Sequence, residues 1–399
     1  MSADTSLSIR TPEPPEKPPA YRRAAIRARA SLRRAGPALA LYATVRIAGM
    51  GCVALWAWRI GKHPRTLIGH SWDAIWYTGI AQHGYGTTRT AVDFPDRLFS
   101  DLAFFPLYPA LIRAVTSVVP LTAVTAGLLI AWAAAGLAAW GIFAVGDRLH
   151  GRRVATVLVV LWGLLPHAIV QSMAYTEPLL TALAAWSLYA VLTHRWLCAG
   201  TLALLAGVSR PNGIAVAAAV CCCAAVEVWR HRTRASWRVW AAAALSPVGW
   251  CGFLGWVGSR RGTWHGYFGV QDDWGSHFDL GVGSLHFIRH LITGRDALAH
   301  YMVLAVLGAM LVFLVAFALR PPPLALVVYT LALVVLALGG TNYFASKPRF
   351  LLPAFPLLLP AALTMARARP RIAVLVGGAL AGLSCLYGTY LLAVARVPI

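Results

Sequence analysis

Eight charged residues set among long apolar stretches carry most of the chemical information in this chain: Asp73, Asp101, Glu177, Arg210, Asp272, Asp273, Lys347 and Arg349. A carboxylate can take the proton of a hydroxyl as general base. An arginine offers a planar fork of donors that matches a phosphate. Trp72, Trp76, Tyr77, Trp264 and Trp274 neighbour the acids in sequence, and such rings stack on sugar faces or anchor at a membrane surface. An acid, a phosphate clamp and aromatics at a lipid boundary fit transfer of a sugar from a lipid-phosphate carrier. An ion-coupled carrier would draw on the same groups.

The segment from His70 to Pro109 must position the first two acids. Trp72, Ile75, Trp76, Gly79, Ile80 and His83 recur at helical spacing and predict one broad apolar-aromatic face. Two Trp on one side suit a helix in the headgroup layer, with Asp73 and Tyr77, one turn apart, on another face toward an enclosed cavity. Gly84 and Gly86 end that helix. Asp101 opens a proline-broken aromatic re-entry, Ala103 to Pro109. Asp ahead of an apolar run is also a good N-cap, so Asp101 has a catalytic and a capping reading. Glu177 sits in a turn, Arg210 and Asn212 in the interruption Ser209-Arg210-Pro211-Asn212-Gly213, and Lys347 and Arg349 in a late turn.

These residues punctuate a chain dissolved in lipid. Of 399 residues 59% are hydrophobic and 12% charged, against about 25% charged in soluble domains. Apolar runs at 37–58, 121–145, 154–171, 178–193, 196–228 (broken at 209–213), 239–258, 299–319, 323–340, 350–366 and 371–394 predict an all-α polytopic membrane protein of about eleven spans. Residues 1–36 are expected to be a disordered basic cytoplasmic tail. Residues 37–399 are then one transmembrane domain, with large external loops at 59–102 and 259–298. The N-terminus has no cleavable signal pattern. Arg46 falls within the first span and either fills a structural role or lines a headgroup pocket. The seven Cys show no metal spacing, so no metal or other cofactor is expected, although acids in external loops leave room for a divalent ion. His83, His167 and His265 read as interface histidines. A net charge of +21 would suggest nucleic acid in a soluble protein. Here most of it falls on loops placed cytoplasmic by the positive-inside rule and meets anionic lipid. Nine of the fourteen acids fall on the far side.

Five stretches resemble one known family. Trp72-Asp73-Ala74 through Ile80-Ala81-Gln82-His83-Gly84-Tyr85, and Ala103-Phe104-Phe105-Pro106-Leu107-Tyr108-Pro109, are similar to the first-loop signature of the glycosylphosphatidylinositol mannosyltransferase II family (PIG-V type). Ala174-Tyr175-Thr176-Glu177, Ser209 to Gly213, and Arg349-Phe350-Leu351-Leu352-Pro353 follow in the same order. The resemblance covers most of residues 40–365. It implies the GT-C superfamily of polytopic glycosyltransferases, which use a polyprenyl- or dolichyl-phosphate sugar and an acid in the first external loop. Asp73 stands where that acid stands, and Asp101 is kept beside it as a further catalytic candidate in the same loop. Arg349 and Arg210 would neutralise the departing lipid phosphate, with Lys347 in reserve; Trp72, Tyr77, Glu177 and Asn212 would complete the substrate site. The implied product is an inverted mannoside made outside the plasma membrane.

The compact, Arg-rich chain with its bare basic tail looks bacterial, so a cell-envelope glycolipid, glycan or secreted protein replaces a glycosylphosphatidylinositol acceptor. Two other readings stand beside this one: a transporter or flippase for a lipid-linked sugar, and a non-catalytic membrane subunit of a glycosyltransferase complex. A transporter needs polar groups along a path open to both sides, whereas these acids gather on one face. The subunit would tolerate loss of Asp73.

Overall fold

The computed structural model describes residues 20–91, 94–341 and 343–395. The protein is an α-helical integral membrane protein. Its first helix, α1 (Ala20–Arg59), already covers residues 20–36 of the expected disordered tail; residues 1–19 lie outside the described part. Along α1 the buried positions are Ala35, Ala38, Tyr42, Arg46, Gly49, Val53 and Ala57, a seam of three- and four-residue steps that faces protein. Arg46 belongs to this seam. Its guanidinium donates to the Gly163 carbonyl (3.0 Å) and to Ser172 Oγ (3.2 Å), so it ties α1 to the bundle.

The chain then forms α2 (Pro64–Gly69), α3 (Asp73–His83) and a hairpin of β1 (Thr88–Ala91) with β2 (Phe94–Ser100). The strands are antiparallel, Thr88 opposite Ser100 and Arg89 opposite Phe99. This hairpin was not expected from apolar periodicity, which it lacks. Next come α4 (Leu107–Val118), α5 (Ala123–His150), α6 (Arg152–Gly163), α7 (Glu177–Leu192), α8 (Trp196–Gly207) and α9 (Ile214–His231). The remainder is α10 (Trp237–Leu245), α11 (Val248–Arg261), α12 (Gly266–Asp273), α13 (Val282–Thr293), α14 (Leu298–Leu319), α15 (Leu324–Gly339), α16 (Lys347–Leu351), α17 (Leu359–Arg367) and α18 (Pro370–Ala393).

Among the described residues six helices are long and apolar enough to cross a membrane: α1, α5, α9 with its first turn, α10 continued by α11, α14 and α18. A seventh is reached if Phe344–Leu351 and Phe355–Arg367, bent by 78°, form one broken span. The expected eleven is therefore not reached by length. At 1.5 Å per residue, the 16 residues of α7 or α15 give about 24 Å, short of a hydrocarbon core of about 30 Å. The helices α6, α7 and α8 are apolar because they are packed among other helices: Leu158, Trp162, Leu180, Leu188, Ala199 and Ala203 are all fully enclosed. Lipid-facing apolar surface lies instead on the long helices, as at Val312 and Leu319 of α14 and Val374, Leu375 and Leu386 of α18, each at least two-thirds exposed. Exposed apolar surface on that scale needs a non-aqueous surrounding.

Candidate active site

Two acids stand on the first turns of helices, where the helix dipole favours negative charge. Asp73 opens α3 and Glu177 opens α7, with Pro178 behind it preset for the first turn. Trp72, just before Asp73, holds φ 53° and ψ −121°, a conformation that side-chain-bearing residues avoid and that costs about 1–3 kcal/mol. Trp72 thus lies outside the helix, and the buried residues of α3 are Ala74, Tyr77, Thr78, Ile80 and Ala81. The expected Trp face is divided: Trp72 precedes the helix, and Ile80 is buried in the protein. Trp76 stacks on Phe104 (5.6 Å) and meets Trp274 edge-on (5.3 Å), because the hairpin and α12 supply protein where lipid was anticipated.

Two arginines are held by proline-bearing breaks. Pro211 forces Arg210 into an extended conformation, φ −161° and ψ 159°, and the turn 211–213 then packs against the end of α8. A Cβ at Gly213 would lie 2.0 Å from the Ala206 carbonyl oxygen, so only glycine fits. Arg349 is carried by α16, whose second residue is Pro348.

These four side chains meet. Arg349 Nη1 donates to Asp73 Oδ2 at 2.8 Å, and Arg349 Nε lies 3.2 Å from Glu177 Oε1. Arg210 Nη1 is 2.6 Å from the same oxygen and donates to Thr176 Oγ1 at 2.9 Å. Tyr77 joins through its hydroxyl, 3.1 Å from Thr176 Oγ1; burial pushes its phenol well above the ordinary range, against a downward pull from Arg210. The Arg349 guanidinium also lies over the rings of Tyr175 and Phe350, 5.2 and 5.1 Å from their centres. The quartet is charge-balanced, as buried ions must be. Its members differ in exposure: the side chains of Glu177, Arg349 and Arg210 are 2%, 7% and 9% exposed, that of Asp73 20%. Asp73 is the open corner. Glu177 is close to both arginines, yet neither of its oxygens, nor Arg349 Nε, has an aligned hydrogen-bond partner. Unused bonding capacity in a buried site suits a polar ligand.

The other expected site residues lie elsewhere. Asp101 is 1% exposed and accepts the backbone N–H groups of Gly86 (2.9 Å) and Thr87 (2.8 Å), pinning the turn between α3 and β1. Burial raises its carboxyl pKa and those two bonds oppose the rise. It does not cap the following 3-10 turn; Ser100 does. Lys347 Nζ donates to the carbonyls of Ala337 (2.9 Å) and Gly340 (2.8 Å), so it closes the C-terminal end of α15 instead of reaching the quartet. Asn212 lies in the turn after Arg210, and its side chain makes no hydrogen bond among the described residues. Asp273 pairs with Arg261 at the surface. Those two, with Asp272, line a cleft of about 620 Å3 beside the hairpin. Trp264 is 89% exposed, whereas Trp274 is built into the hairpin through Nε1 and the Ser100 carbonyl (3.0 Å). His167 is not at an interface: it is 2% exposed, edge-on to Tyr387, with neither ring nitrogen partnered. No three His, Cys, Asp or Glu side chains are grouped for a metal among the described residues.

Thr176, Tyr175 and Phe350 were not anticipated as site residues. All three lie within two positions of anticipated ones in sequence, but nothing in their spacing says that Thr176 bridges α3 to Arg210 or that two rings meet Arg349.

No protein-family profile matches this chain, and neither does any curated protein. Among solved structures, ArnT from Cupriavidus metallidurans in the apo state is similar at 16% identity with a TM-score of 0.49, over 80% of this chain and 59% of that one. ArnT bound to undecaprenyl phosphate gives 15% identity and a TM-score of 0.49, over 76% and 57%. This chain therefore spans less than two thirds of the length of ArnT.

Proposed function

We propose that this protein is a GT-C-type membrane glycosyltransferase that moves a mannosyl group from a polyprenyl-phosphate donor to a cell-envelope acceptor. The chemistry takes place on the outer side of a bacterial plasma membrane, with the N-terminus in the cytoplasm. One observation carries the reading: a buried quartet of two acids and two arginines in which one acid, Asp73, is the open member. Asp73 Oδ2 is committed to Arg349, leaving Oδ1 to accept the proton of the acceptor hydroxyl. The deprotonated oxygen attacks the anomeric carbon, the bond from that carbon to the phosphate oxygen breaks, and lipid phosphate leaves from the opposite face with one more negative charge. Protonation of Asp73 removes half of the anionic hold on Arg349. That cation is then free to follow the charge to the leaving phosphate, while Glu177 keeps Arg210 in place. Both carboxylates already face guanidinium groups, so the quartet disfavours a divalent cation.

The test is transfer of radiolabelled mannose from polyprenyl-phosphate mannose in membranes carrying wild type or Asp73→Asn at equal amounts. The amide keeps shape and removes the base. A loss of about a hundredfold or more is expected. Equal labelling by both proteins would refute the assignment of Asp73. A transporter would instead move lipid-linked sugar across proteoliposomes without forming a product.

A further inference from the structure

The helix α13 is apolar on the side it turns away from the protein. Ser284, Phe287, Ile288 and Leu291 form its inner stripe, Ser284 and Leu291 buried and the two rows between them half-buried. The opposite stripe is Val282, Leu285, Arg289 and Ile292, spaced by three and four residues. Val282, Leu285 and Ile292 are 51%, 66% and 74% exposed. No carboxylate pairs with Arg289 among the described residues. The one acid from residue 280 to 298, Asp296, is taken up by His300 at 2.9 Å. A helix apolar on both sides needs protein or lipid on both. Two anchors set the height of α13. At its start, Ser284 Oγ donates to the Leu338 carbonyl near the end of α15 (3.3 Å). At its end, Tyr301 Oη, in the first turn of α14, donates to the Gly294 carbonyl (3.2 Å), and Phe287 meets the His300 ring edge-on at 5.0 Å. Since α14 is long and apolar enough to cross a membrane, α13 lies level with one end of a span. Apolar side chains around a cation at that height fit a headgroup boundary, with acyl chains under the stripe and phosphates beside the guanidinium.

We propose that α13 lies on the anionic headgroup layer of the membrane, and that this contact steadies Arg349 for transfer. The second clause rests on the glycosyl-transfer reading above. Phe287, on the inner stripe of α13, packs on the Phe344 ring at 4.7 Å. Phe344 opens the 3-10 turn Phe344–Ser346, which runs straight into α16 and Arg349. Leu291 of α13 joins Phe344 in one apolar cluster with Val303 and Leu307 of α14. Lifting α13 off the surface loosens the packing under the turn that carries α16. The partner is a phospholipid surface, recognised by its negative charge and its acyl chains.

The test places full-length protein in lipid nanodiscs with photoactivatable phosphatidylglycerol or phosphatidylcholine, the diazirine near the headgroup end of an acyl chain, and maps labelled residues by mass spectrometry. Labelling should fall on Val282, Leu285 and Ile292. Phosphatidylglycerol should label them about fivefold more than phosphatidylcholine, the worth of one cation near a charged surface, and Arg289→Gln should remove that preference. Leu285→Asp, at an exposed position, should lower labelling of Val282 and Ile292 by both lipids. Absence of label from 282–292 with either lipid overturns the surface contact. Equal labelling by the two lipids in wild type, or an unchanged preference in Arg289→Gln, overturns the anionic assignment. Label that disappears when two copies share a disc assigns the face to a second copy and overturns the proposal. Mannosyl transfer by wild type should be several-fold faster in discs containing phosphatidylglycerol, and Arg289→Gln should lose that gain. Transfer indifferent to lipid charge in protein whose α13 labels as expected overturns the steadying of Arg349 alone. Wild type that labels as expected yet forms no mannosyl product in any membrane refutes the transferase reading and leaves the lipid contact standing.

Discussion

Replacing Glu177 by Gln probes the quartet most directly. Glu177 is the anion shared by Arg210 at 2.6 Å and Arg349 at 3.2 Å, with a side chain 2% exposed. With charge centres about 4 Å apart and an effective dielectric constant near 20, each contact has a gross attraction of about 4 kcal/mol. Neutralising Glu177 leaves two buried guanidinium groups facing the single charge of Asp73. Breaking a buried pair from one side costs about 3–5 kcal/mol, which corresponds to a fall in melting temperature of roughly 5–10 °C. Asp73→Asn breaks one contact at a side chain that is 20% exposed, so its effect on melting should be smaller, about 1–3 kcal/mol. The two variants should therefore order oppositely in two assays. Glu177→Gln melts lowest in a fluorescence thermal-shift measurement in detergent, while Asp73→Asn stays better folded and loses transfer almost completely. If Asp73→Asn melts lower than Glu177→Gln, Glu177 does not anchor the two arginines and the division of labour in the quartet is wrong.

Three further outcomes are expected. Gly213→Ala has no room beside the Ala206 carbonyl and should cost about 1–3 kcal/mol or more by overpacking, reducing transfer through displaced Arg210; an unshifted melting curve would contradict the close approach. Asp101→Ala removes the acceptor of the Gly86 and Thr87 amides and should lower stability by about 1–3 kcal/mol, the worth of hydrogen bonds to a charged group, while folded protein keeps transfer within about tenfold; a hundredfold loss in folded protein would place Asp101 in the catalytic step. The Asp279 carboxylate accepts the N–H groups of Gly283 (2.6 Å) and Gly281 (2.9 Å) at the start of α13, and these bonds, Gly283 first, hold its pKa below the ordinary value. That stabilisation is complete above the unfolded-state pKa of about 3.9 and is lost as pH falls through the lower folded value. The melting temperature of Asp279→Asn should thus fall less than that of wild type on acidification from about pH 6 to about pH 3; superimposed profiles would exclude the contribution.

Sequence alone determined that the protein is helical and lies in a membrane, because apolar runs of this length have no other solvent. It also located the breaks: Gly84 closes α3, Pro211 and Gly213 split the 196–228 run into α8 and α9, and the chemistry-bearing residues cluster at such interruptions. Asp73, Tyr77, Glu177, Arg210 and Arg349 were all legible as candidates, and their side chains lie together in the fold. Periodicity could not say which apolar surface meets lipid and which meets protein, since both are equally hydrophobic. For that reason Trp76, expected toward the headgroup layer, packs on Phe104 and Trp274 instead, and apolar runs alone did not fix the number of spans, since α6, α7 and α8 are short and enclosed. Nor could it choose partners for the ions. Arg349 meets Asp73 across 276 residues, while Lys347, two positions away, turns to the end of α15, and Asp101 turns to backbone amides. Ion pairing acts over a few ångströms and is indifferent to separation along the chain. Only the packed bundle decides which charges come that close.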